Sequence, residues 1–186
     1  MTLYEHLSVL FSIVIGLGLT HLLANVTQLV QARDRVRVHW LPITWAVLVF
    51  VGLVQWWWSS FTFRTRETWN FFYFLFLLLR PVTSYLSAAF VLPNVEPGVE
   101  CDMRSYYYDT RGWLFGLLAA GNTLDGLRRM LAGETFGEIG VWSNFVSAAL
   151  LASLAFTTNQ RHHASITLLT VALFGAFLLQ AALTLR

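Results

Sequence analysis

Hydrophobic positions along the chain form long runs, not the three-and-four or alternating patterns of water-soluble helices and strands. Six such runs are read, at residues 7–31, 40–62, 69–92, 106–131, 141–158 and 163–185. Each has about the length that a helix needs to cross a bilayer, roughly 20 residues. The first opens behind Glu5 without the positive leader of a signal peptide, and it is too long for one, so it reads as a retained helix. Pro42 sits in the first turn of the second run, where its missing N–H costs little. After the third run, Pro93-Asn94-Val95-Glu96-Pro97-Gly98 is a loop by turn chemistry, continued by the acidic Glu100 to Asp102. The fourth run is the least apolar, with Asp109, Arg111, Asn122, Asp125, Arg128 and Arg129. Aromatic residues gather near the ends of the runs (Trp40, Trp56 to Trp58, Trp69, Tyr106 to Tyr108, Trp113, Trp142), where amphipathic rings suit the headgroup layer. No run shows the ten-residue alternation of a membrane barrel. The expected fold is all-α: a polytopic transmembrane helical bundle of about six spans, one membrane domain over 1–186, with no soluble domain.

Composition agrees with that pattern. Hydrophobic residues make up 56% of the 186 and charged residues 12%, a balance with too little polar surface for a soluble domain. Mean hydropathy is +0.59. The expected location is an integral, multi-pass position in a membrane, of the bacterial inner-membrane type, with membrane lipid as the constant partner. The net charge of +2 comes from twelve Arg and no Lys, without a basic block, so nucleic acid drops out as a partner. Cys101 is the only cysteine, which excludes an internal disulfide and any multi-cysteine metal site. With the N-terminus on side A and the opposite face called side B, arginines flanking the spans divide equally between the two sides. The positive-inside rule therefore gives no orientation.

Arg80 is the most informative single residue. It follows nine uninterrupted apolar residues, Phe71 to Leu79, and lies roughly 16 Å from either end of its span. A guanidinium at that depth costs at least about 2.5 kcal/mol, so it should face the bundle interior and meet a partner or water. Pro81 beside it frees a carbonyl one turn earlier. Ser84 and Ser87 continue the Arg80 face. In the side-A half of the bilayer lie Gln180, Asp125, Gln55 and Asn122, in order of increasing depth, which together suggest a polar cavity opening toward that side. Asp125 is the carboxylate expected opposite Arg80. The competing account is local: Arg128 and Arg129, three and four residues on, hold Asp125 by themselves.

In the first helix Ser8, Ser12, Gly16, Thr20 and Ala24 recur every four residues, a small-residue stripe suited to close helix contact within the chain or in a homo-oligomer. Beside it run Gly18, His21, Asn25 and Gln28. Mid-membrane His21 is read either as a proton carrier or ligand, or as a neutral packing histidine. A bis-histidine haem would need a second histidine at the depth of His21. His39, His162 and His163 lie near side-B ends and His6 near side A, so no cofactor and no metal is expected. The chain has no H-E-x-x-H, G-x-S-x-G, P-loop or dinucleotide fingerprint, and no catalytic residue is assigned. The leading expectation is a small channel or transporter-like protein, with Arg80, Asp125, Asn122, His21, Gln55 and Ser84 binding or gating a small anionic ligand. A non-catalytic subunit of a larger membrane complex is the alternative. A haem-binding or lipid-modifying membrane enzyme is the third.

Overall fold

A computed structural model describes residues 3–65, 69–95 and 98–184, with side chains described from Tyr4 to Leu179. Six helices account for nearly all of it: α1 (Leu3–Gln31), α2 (Trp40–Ser60), α3 (Phe71–Val91), α4 (Met103–Leu131), α5 (Ile139–Phe156) and α6 (Gln160–Thr184). Their boundaries follow from local chemistry. The Asn70 side chain accepts the Tyr73 N–H at 2.8 Å, and the Asp102 carboxylate accepts those of Arg104 and Ser105, capping α3 and α4. Helix α4 closes in a Schellman turn: Glu134 N–H bonds the Arg129 carbonyl and Gly133 N–H that of Met130. Gly133 takes the left-handed φ of +95° that this turn requires. Helix α3 continues through Pro81 without a break. The carbonyl of the preceding residue, Arg80, accepts from the hydroxyls of Thr83 at 2.8 Å and Ser84 at 3.1 Å.

The helices form one bundle around a continuous core in which Phe11, Leu41, Leu53, Leu77, Leu114, Phe115 and Leu154 are essentially inaccessible. Outward faces are apolar too. Phe156, 87% exposed, is the extreme among more than thirty large hydrophobics left open on the surface. That surface suits hydrocarbon and would be untenable in water. Five helices (α1, α2, α3, α5 and α6) are long and apolar enough to span a bilayer.

Helix α4 does not meet that criterion, yet it packs lengthwise between α3 and α5. Phe90 of α3 stacks on Trp113, and Phe145 of α5 lies against Gly126, where a Cβ would come within 3.0 Å of the ring. Its polarity is reversed from that of a soluble helix. Gly112, Trp113 (67% exposed), Gly116, Ala120 and Leu127 face outward, while Arg111, Asn122, Asp125 and Arg128 are partly buried among the other helices. A helix with 29 residues, about 43 Å long, is more than long enough to join its neighbours as the sixth crossing.

On side B, the loops after α1 and α3 meet in a feature that the hydrophobic runs do not announce. Val36-Arg37 pairs in parallel with Cys101-Asp102, a two-residue ladder tying α1–α2 to α3–α4. Helix α6 is held through its first half only: His163, Ile166 and Thr167 are buried, and no described residue beyond Thr167 is.

Candidate functional site

Arg80 is the tenth residue of α3 and Asp125 lies six residues, about 9 Å, before the side-A end of α4. The long guanidinium closes the depth difference: Nε donates to Asp125 Oδ2 at 2.8 Å, with both side chains 20% accessible. Nη1 of Arg80 donates to Ser84 Oγ, one turn along the same helix. The room for this comes from Gly121, one turn before Asp125. A Cβ there would stand 3.2 Å from both Arg80 Cζ and Nη1, and 3.2 Å from Thr83 Oγ1. Glycine at that place lets a guanidinium lie flat on the helix.

Asp125 has a second cation. Arg128 Nε stands 3.8 Å from Oδ1, and the Arg128 guanidinium also lies over the Phe63 ring, 5.5 Å from its centre. Arg129, the other local candidate, turns away to Glu134, which it meets at 3.0 Å above the start of α5. Among the described residues the constellation is therefore two guanidiniums on one carboxylate, a surplus of one positive charge.

The remaining expected site residues divide. Asn122 donates to the Leu118 carbonyl of its own helix at 2.9 Å and does not reach Arg80. Gln55 is half-buried on α2 and forms no side-chain hydrogen bond among the described residues. The side chain of Gln180 lies outside the described ones. His21 stands edge-on to Tyr85, ring centres 6.4 Å apart, and its Nε2 is buried without a partner. Its row does the inward packing of α1. Gly18 sits against Leu53 and Tyr85, Asn25 donates to the Leu92 carbonyl at 3.3 Å, and Gln28 accepts the Val95 N–H at 3.3 Å. The stripe Ser8, Ser12, Gly16, Thr20 and Ala24 is consequently turned away from the core. Ser12, Thr20 and Ala24 are exposed, and a Cβ on Gly16 would meet nothing within 4 Å. Ser12 is met by the Trp57 indole N–H of α2 at 3.1 Å.

A buried polar network toward side B escapes sequence reasoning. His163, fully buried, has its Nε2 3.0 Å from the Thr157 carbonyl and its Nδ1 2.9 Å from the Tyr107 hydroxyl. A carbonyl only accepts, so Nε2 carries the proton and Nδ1 of the neutral ring accepts from the phenol. Trp45 donates to buried Thr167 at 3.0 Å, and Phe115 makes edge contacts with Trp45, Tyr107 and His163. Position near the end of a hydrophobic run gives no hint of this burial. The one available signal is the aromatic triplet Tyr106 to Tyr108 opposite a histidine pair.

Outside the spans, His39 caps α2 by accepting the Leu41 N–H at 3.3 Å. Burial, then the nearby Arg104 charge, lowers its pKa against a smaller opposing effect of Asp102. Cys101 in the ladder is pushed the other way, upward, by burial and then by Asp102. Among the described residues no group of three or more His, Cys, Asp or Glu is placed to hold a metal ion. Comparison with protein-family models, curated proteins and solved structures finds no match to this chain.

Proposed function

We propose that this membrane protein is of channel or transporter type, and that the Arg80, Asp125 and Arg128 constellation binds a small anionic species entering from side A. One observation carries the reading: among the described residues one carboxylate, Asp125, faces two guanidiniums, with the Arg80–Asp125 pair still one-fifth accessible. An arriving anion competes with Asp125 for Arg80. Ser84 holds the guanidinium from the other side, and Gly121 leaves it space to shift. The surplus charge favours the anion-bound state, and Asp125 keeps the empty site from trapping ligand irreversibly. The test is flux of chloride, inorganic phosphate and acetate into liposomes carrying the wild-type protein or Arg80→Gln. Flux of at least one probe that falls in the variant is expected. Equal flux through a folded Arg80→Gln protein removes Arg80 from the mechanism.

A second reading, a non-catalytic subunit of a larger membrane complex, is favoured by the outward-facing α1 stripe and by the second half of α6, where no described residue is fully buried. Bulky Gly16→Leu should then release the protein from its assembly. Wild-type and variant that run identically as isolated monomers in mild detergent would remove that reading.

A further inference from the structure

Arg111 is the second guanidinium on the inward face of α4, eight residues or about 12 Å from the start of the helix on side B. Its Nη1 donates to the Tyr108 carbonyl, one turn back on its own helix. Nothing else in the described chain answers it. Among the described residues no carboxylate lies within 4.0 Å, and Nε is buried without a partner. Asp109, the nearest acid in sequence, is exposed and accepts from Ser105 at 3.3 Å. A second unmet donor lies one turn away, since the Tyr108 hydroxyl is also buried without a partner. The Tyr108 ring stands edge-on to His163 at 5.2 Å, and Arg111 lies within electrostatic range of that histidine. His163 cannot help, because both its nitrogens are already engaged by Tyr107 and Thr157.

Buried donors in folded proteins are nearly always satisfied, and an unmet one calls for an absent partner. For an arginine below the headgroup layer a negative charge is the partner that compensates it most fully. The contrast with Arg80 sharpens the point, because there Nε is taken by Asp125 at 2.8 Å. In Arg111 the use of Nη1 within the helix leaves the Nε and Nη2 edge, whose two parallel N–H groups match a pair of oxyanion oxygens. We propose that Arg111 and Tyr108 form a binding site for one oxyanionic group, a carboxylate or phosphate, reached from side B between α4 and α6. The bidentate edge of Arg111 takes two oxygens of the group, and the Tyr108 hydroxyl adds a third donor. This site does not depend on the role assigned to Arg80.

Two sources offer that chemistry, the headgroup of an anionic lipid and a free anion, and the test separates them. Wild-type protein is placed in nanodiscs of phosphatidylcholine alone or with phosphatidylglycerol, and retained lipid is counted by native mass spectrometry. In parallel, inorganic phosphate and acetate are titrated calorimetrically into the phosphatidylcholine discs. Saturable retention of phosphatidylglycerol assigns a headgroup, and saturable phosphate or acetate binding assigns a free anion. Either result is expected to weaken about 10-fold or more in Arg111→Gln, and less in Arg111→Lys, which keeps the charge without the fork. Tyr108→Phe, which removes one hydroxyl and leaves the packing, is expected to weaken binding by about 3-fold to 10-fold, and it decides the matter if Arg111→Gln does not fold. The proposal is overturned if the wild type binds neither source, or if binding is unchanged in the folded Arg111→Gln protein or, failing that, in Tyr108→Phe.

Discussion

Replacing Asp125 by asparagine keeps the shape of the side chain and removes its charge. Arg80 Nε, now 2.8 Å from the carboxylate, would donate to a neutral amide oxygen, and Arg128 would lose the only carboxylate near it among the described residues. An exposed ion pair contributes about 0–1 kcal/mol, whereas removing one partner of a buried pair costs about 3–5 kcal/mol. Both side chains are 20% accessible, so the case lies near the buried limit, softened by the hydrogen bond that asparagine retains. A loss of about 2–4 kcal/mol is expected. Arg80→Gln should cost less, about 1–2 kcal/mol, because Asp125 keeps Arg128 as a partner. The double variant leaves no deep unpaired charge at Arg80, so the two losses should fall short of additivity by about 1–2 kcal/mol. Unfolding by sodium dodecyl sulfate in mixed micelles, followed through the intrinsic fluorescence of the eight tryptophans, measures all three. Strict additivity, or a larger loss for Arg80→Gln than for Asp125→Asn, would refute the shared-carboxylate arrangement.

The same assay tests the α4–α5 contact. Gly126→Ala gains about 1 kcal/mol of helix propensity. It also forces a Cβ to 3.0 Å from the Phe145 ring, an overpacking cost of about 1–3 kcal/mol. Net destabilisation is expected, and a stabilised variant would show that the helices do not meet so closely. Tyr107→Phe leaves His163 Nδ1 buried without its donor and should cost about 1–2 kcal/mol, read as a lowered melting temperature. An unchanged melting temperature would contradict the pairing. Burial and then Asp102 raise the Cys101 pKa, so at a given pH less thiolate is present than in a free cysteine. Its alkylation by iodoacetamide should rise at higher pH than that of free cysteine, and Asp102→Asn should move the profile part of the way back. Coincident profiles for wild type and free cysteine would count against the ladder geometry.

Much of the architecture is legible in the chain because lipid imposes a simple rule on outward faces. The runs at 40–62 and 69–92 become α2 and α3 within a few residues, and Asn70 supplies the start of α3. The Arg80–Asp125 contact is legible by depth, since few carboxylates lie at a level that α3 can reach. Asn122 shows the limit of that method. It shares the depth, but an amide can satisfy itself on the Leu118 carbonyl, and depth does not give direction. The small-residue stripe of α1 is misleading for a related reason. Spacing identifies a smooth face without saying what covers it, and the inward face is the bulkier Phe11, Ile15, Leu22 and Asn25 side, with Gly18 at its closest approach. His163 stays hidden because counting residues from a helix end treats the end as wet. Here the Thr157 turn folds back over the ring and seals it.

Helix α4 connects these observations. It is the helix least suited to hydrocarbon, and the bundle accommodates it by turning Arg111, Asp125 and Arg128 inward and Gly112, Trp113 and Gly116 outward. Arg111 and Asp125 then lie on one inward face, fourteen residues or about 21 Å apart. Between them that face is apolar. Leu114 and Phe115 are fully buried, and Phe115 is braced edge-on by Trp45 at 4.9 Å. An anion moving between the two ends would have to cross this layer, where Asn122 is committed to its own helix and Trp45 to Thr167. Desolvating a charge there costs far more than either arginine returns. Under the transport proposal, α4 would have to shift against α2 and α3, moving Phe115 off Trp45, before the layer admits charge. Gly121 lies on the α3-facing side of α4, where the absence of a side chain lets the two helices stand close beneath Arg80 and Thr83.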